Sequence, residues 1–183
     1  SRGRFAPAIA VFVAAFTLVG GAITDGQPDA GEHPYVGQLL FYVPDEVDPR
    51  FTDPGSWFSC SGTLVSSTVV VTAGHCTFGV GLNGEATSED GGSGGNDIWV
   101  NFSEMPDLNG FPPSASYIPD NNGQRYTDRV QFLGNAQHGW KRGTAHAHPE
   151  FDSATFYLHD VGVIVLDSTV EMQTYGRIPE LGY

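Results

Sequence analysis

From Tyr35 onward, apolar residues fall in short β-branched and aromatic runs separated by turn-forming residues. Val36–Tyr42, entered through Pro34, reads as a strand, as do Phe58–Val65 and Val69–Val71. In Asp97–Phe102, Ile98, Val100 and Phe102 alternate onto one face, the period expected of a strand with one side buried. Gly143–His148 and Val161–Leu166 add two more strands, the last a continuous apolar run of the kind that becomes buried. Between these runs, Pro44–Ser56 is an acidic, proline-bearing loop, Phe78–Asn96 is glycine-rich, and Met105–Arg125 has no periodicity and is expected to be a long loop. The pattern is that of an all-β chain.

One segment breaks it. Arg2 and Arg4 precede a nearly unbroken apolar run from Ala6 to Val19. The run falls short of the roughly 20 residues that span a bilayer, and its basic flank suits a secretory signal, with Gly20 and Ala22 as the small residues before a cleavage at Ile23. Residues 1–22 are therefore expected to be a signal peptide, against the alternatives of a membrane anchor or a buried helix, and residues 23–183 the exported domain. The protein is expected to be secreted and, once the signal is removed, free of the membrane.

Composition sharpens this. The 183 residues include 24 Gly and 12 Pro, which favour turns over long helices, and 40% hydrophobic residues, enough for a core. A net charge of −13 with 8 Lys and Arg excludes non-specific nucleic-acid binding, which needs clustered cations. The two cysteines, Cys60 and Cys76, would bridge in an oxidising compartment and remain thiols in the cytoplasm. A zinc site on them would need further ligands, and the chain has no third cysteine.

Candidate chemistry centres on Thr72-Ala73-Gly74-His75-Cys76, after Ser59-Cys60-Ser61-Gly62-Thr63-Leu64-Val65 and Val69-Val70-Val71. A histidine gains and loses its proton near neutral pH, and serves as a base when held in one orientation. These motifs resemble the surround of the catalytic histidine in the trypsin/chymotrypsin-like serine protease family. A second block, His159-Asp160-Val161-Gly162-Val163-Ile164-Val165-Leu166, resembles that family's aspartate segment. An aspartate at the head of a buried apolar run also needs a partner for its charge. The resemblance implies His75 as general base, Asp160 as the residue that orients it, and a Cys60–Cys76 disulfide beside them. It further implies the first six-stranded antiparallel barrel of a chymotrypsin-like double β-barrel, with the second barrel and its serine nucleophile absent from these residues. Asp152 and Asp167 compete with Asp160 but are read as solvated.

Other features weigh less. Ser93, in Asp90-Gly91-Gly92-Ser93-Gly94-Gly95, imitates a nucleophile loop, but it precedes the aspartate where the family's order is His, Asp, Ser. Ile23-Thr24-Asp25-Gly26 resembles the family's mature N-terminus. His138, His146 and His148 can be drawn as a metal triad, yet the resemblance reads His148-Pro149 as a strand end before the aspartate. Asn101-Phe102-Ser103 fits a glycosylation pattern, and the Pro44–Ser56 carboxylates lack regular calcium-ligand spacing. The function expected is that of a secreted serine endopeptidase, acting on protein or peptide substrates as a monomer without metal or cofactor. These residues carry His75 and Asp160 but no Gly-Asp-Ser-Gly-Gly block, so the fragment alone is expected to be inactive. A secreted, non-catalytic β-barrel binding module is the alternative.

Overall fold

The computed structural model describes residues 28–44, 56–81, 95–112, 122–155 and 157–180. The expected signal segment, Ile23, Ser93 and most of the acidic loop lie outside them. Six antiparallel strands form a closed barrel: β1 (Val36–Val43), β2 (Ser56–Leu64), β3 (Val69–Thr72), β4 (Ile98–Asn101), β5 (Lys141–Ala147) and β6 (Gly162–Leu166). Around the barrel the order is β1-β2-β3-β6-β5-β4. The all-β expectation holds, and each strand falls on one of the runs picked out above.

Closure satisfies every strand edge, and the alternating side chains fill the lumen. Leu39, Leu64, Val70, Ile98, Val100 and Ile164 are fully buried there. β1 is apolar on both faces because both are covered. Leu39 and Phe41 point into the core, while Leu40 joins Trp99, Leu133 and Trp140 in a second cluster on the outside of the barrel.

That outer cluster depends on a helix missed by the sequence reading. α1 (Asn122–Gly134) begins inside the stretch Met105–Arg125 that was expected to be loop throughout. Its Asn-Gly start is unfavourable for a helix, which masked the signal. The signal lies further on, where Tyr126, Val130 and Leu133 recur at helical spacing. Leu133 is fully buried in the outer cluster, with Val130 and Phe132 packed against it.

Below α1 lies a charged group sealed in the fold. Asp97 is 0% exposed, with Arg142 Nη2 3.0 Å from its Oδ1 and the Tyr126 hydroxyl donating to its Oδ2 at 2.9 Å. Arg142 Nε also donates to the Asn96 carbonyl at 2.7 Å. Burial, and then the hydrogen bond to Asp97, raise the Tyr126 phenol above its ordinary range. Asn101 is 1% exposed and its Nδ2 donates to the His138 carbonyl at 2.8 Å, so in the folded chain this side chain is not open to a glycan.

Candidate functional site

β3 and β6 are hydrogen-bonded antiparallel neighbours, with Val71 opposite Val163 and Thr72 opposite Gly162. The exit of β3 and the entrance of β6 therefore meet at one end of the barrel. His75 follows the first and Asp160 precedes the second. Topology thus joins two residues 85 positions apart in sequence.

Past Thr72 the chain tightens into a single 3-10 turn, Gly74–Cys76. The Gly74 carbonyl accepts from the Thr77 and Phe78 amides, each at 2.9 Å, and from the buried Thr77 hydroxyl at 2.9 Å. Cys76 is buried and disulfide-bonded to Cys60 on β2. The bridge expected from the resemblance is present, and it ties the turn to the neighbouring strand. By the chain-entropy account, closing a loop of about 15 residues contributes about 3 kcal/mol.

Close packing holds β6 against this turn. A Cβ on Gly162 would come within 2.1 Å of Thr77 Oγ1 and 3.0 Å of the Ala73 carbonyl. A Cβ on Gly74 would lie 3.0 Å from the Phe151 ring and 3.1 Å from the Val161 amide. Glycine at both places lets the two backbones approach, and Phe151, itself buried, meets Phe78 edge-on at 5.4 Å.

The pair itself is a three-point contact. His75 Nδ1 lies 2.9 Å from Asp160 Oδ2 and 3.1 Å from Oδ1, and the His75 amide donates to Oδ1 at 2.8 Å. Desolvation by itself would raise the Asp160 carboxyl. The His75 amide, the His75 ring and the Gly74 amide outweigh it, and together hold the carboxyl below its usual value. As an ionised carboxylate Asp160 only accepts, so Nδ1 carries the hydrogen and the lone pair sits on Nε2. The side chains are 38% exposed for His75 and 24% for Asp160, so the pair lies at the surface with its carboxylate end drawn in.

The other expected positions separate clearly. Asp152 is exposed and turned onto its own loop, accepting from the Ala154 amide at 2.9 Å, and Asp167 is exposed beyond β6. His138 stacks on Phe132 at 3.8 Å, and among the described residues it forms no metal-ligating group with His146 and His148. Among the described residues His148 instead converges with Glu150 and His159, an association hidden in the sequence because the chain must fold back between them. Cys60, His75 and Cys76 also cluster, but the disulfide occupies both sulfurs.

No protein-family model and no curated protein matches the sequence. Among solved structures, one described as "Structure of GrC" is similar at 14% sequence identity with a TM-score of 0.38. The match covers 82% of this chain and 44% of that one, so the chain spans less than half the length of the structure it matches.

Proposed function

We propose that this chain supplies the histidine and aspartate of a secreted serine endopeptidase. The observation that carries the proposal is the contact of Asp160 with both the ring and the amide of His75, on a turn stapled by Cys60–Cys76. A carboxylate on Nδ1 fixes the tautomer that leaves Nε2 basic, which is what a general base for a hydroxyl nucleophile requires.

In the proposed mechanism His75 Nε2 takes the proton of a serine hydroxyl as its oxygen attacks the peptide carbonyl. The imidazolium that forms is stabilised by Asp160, and it returns the proton to the leaving amine. The proposed mechanism also requires a serine and oxyanion-hole amides, for which a second barrel with a Gly-Asp-Ser-Gly-Gly block is the expected source. The Cys60–Cys76 disulfide suits an oxidising, extracellular compartment and so supports the secreted reading.

The coding DNA past Tyr183 should read into such a block within about 100 residues, the size of one further small domain. A fluorophosphonate probe should label the full-length protein, and labelling should vanish in His75→Ala. A stop codon directly after Tyr183, or labelling indifferent to His75, would overturn the proposal in favour of a secreted binding module.

A further inference from the structure

Between β5 and β6 the chain makes an excursion that returns on itself. His148 donates its amide to the Val161 carbonyl at 2.8 Å, Phe151 donates to the His148 carbonyl at 2.8 Å, and Val161 donates to the His159 carbonyl at 2.7 Å. His159 takes a left-handed backbone, φ 55°, which is uncommon for a residue with a side chain. The result is that the His148 and His159 rings lie nearly parallel, 11° apart in plane with centroids 5.1 Å apart, and Glu150 reaches both.

Hydrogen bonding assigns the ring nitrogens. His159 Nδ1 lies 3.3 Å from the Glu150 carbonyl, an acceptor, so Nδ1 carries the hydrogen. Its Nε2 then faces the Glu150 carboxylate, 3.4 Å from Oε2. Ring nitrogen and carboxylate oxygen therefore converge on one point, which a proton on Nε2 fills as an ion pair and which a metal ion fills by taking both as ligands. An imidazole that donates its other N–H to a backbone carbonyl is also the outer-sphere arrangement found behind most metal-binding histidines. His148 completes the set, with its Nδ1 now accepting from the Glu150 amide at 3.1 Å.

We propose that His148, Glu150 and His159 bind a divalent ion of the zinc class, with water as the fourth ligand. The three ligand atoms lie within 4.8 Å of one another. A tetrahedral ion bonded at about 2.0–2.2 Å draws its ligands to roughly 3.3 Å, so these side chains must close by up to about 1.5 Å, and a His148 that ligates through Nδ1 exchanges its amide hydrogen bond for the metal. Glu150 and His159 are exposed and free to make that movement. Two imidazoles and one carboxylate select zinc over calcium or magnesium, which take oxygen ligands. Asp160 directly follows His159, so an ion seated here also restrains the backbone beside the His75 partner.

The test needs no proteolysis, so its outcome is separate from that of the protease proposal. Zinc chloride titrated into the oxidised full-length protein, followed by calorimetry, should give one saturable site that magnesium does not compete for. Cobalt in its place should show the intense visible absorption of tetrahedral coordination. His159→Asn, which keeps a residue suited to the left-handed backbone, should weaken zinc binding about 100-fold, and Glu150→Gln should weaken it about tenfold or more. His75→Ala should leave binding unchanged. Nitrogen-15 spectra of the wild-type imidazoles should show His148 and His159 shifting with zinc, which settles the ligands even if a variant misfolds. Absence of saturable binding, or binding unaltered by both substitutions, or shifts confined to other histidines, would overturn the proposal.

Discussion

Two aspartates in this barrel have opposite fates. Asp97 is 0% exposed and bound to a guanidinium that stays charged at any ordinary pH and to a tyrosine hydroxyl. Asp160 is 24% exposed and bound to an imidazole that can change its charge. Both are needed to satisfy a carboxylate drawn towards the barrel, yet only the second arrangement can move a proton. A sealed carboxylate with a permanent cation holds elements together. A carboxylate at the surface, facing a titratable ring, is equipped for chemistry.

Substitutions should separate the two. In the full-length protein Asp160→Asn should lower peptide hydrolysis by roughly 10⁴-fold, the loss seen when a triad aspartate no longer fixes the histidine tautomer. Steady-state kinetics measure it, and a loss below tenfold would remove Asp160 from the mechanism. Arg142→Met should have the complementary effect, leaving the His75 contact in place while destabilising the fold by about 3 kcal/mol in chemical denaturation. Taking away one partner of a buried ion pair costs about 3–5 kcal/mol, and the partial exposure of Arg142 sets the low end.

Gly162→Ala sharpens the comparison from the backbone side. Its methyl would fall on Thr77 Oγ1, and overpacking of this kind costs about 1–3 kcal/mol. Because the strain separates β6 from the His75 turn, the hydrolytic rate should fall as well, whereas the Asp97 group should be untouched. Chemical denaturation and rate assays on the same variant distinguish the two effects.

The smallest effect is in pH. Asp160 is held below its ordinary value of 3.8, so its contribution to stability is complete above that value and is lost as the pH falls through the lowered one. Melting temperatures from pH 6 down to pH 2 should therefore show wild type and Asp160→Asn converging only in the acid part of the range. A constant gap would mean that the carboxylate is not stabilised by the contact.

Much of the barrel was legible because its strands are written as runs. Ile98 and Val100 could be assigned to the core from alternation alone, and His75 and Asp160 stood inside recognisable motifs. Partnership across space was legible only where a family motif supplied it, as for His75 with Asp160 and Cys60 with Cys76. Nothing near Asp97 in the sequence announces Arg142, 45 residues away, or the Tyr126 hydroxyl. Likewise, the histidine grouping drawn from strand spacing joined His138 and His146 to His148, whereas the fold joins His148 to His159 through a reversal of the chain. The helix α1 was missed because its weak Asn-Gly start obscured the Tyr126, Val130, Leu133 spacing behind it.

The neighbourhood of β3 and β6 also has a kinetic meaning. Those strands are adjacent in the closed barrel although β4, α1 and β5 all lie between them in the chain. Pairing across so long an intervening segment must meet its loop-closure entropy before the contacts repay it, which makes such pairing slow. The β3–β6 seam spans the longer intervening segment of the two non-consecutive pairings, so the His75–Asp160 contact should form late in folding. Stopped-flow refolding, comparing the β1–β2 hairpin with the His75 imidazole as probes, would register the site as a late event, whereas simultaneous appearance of both signals would contradict it.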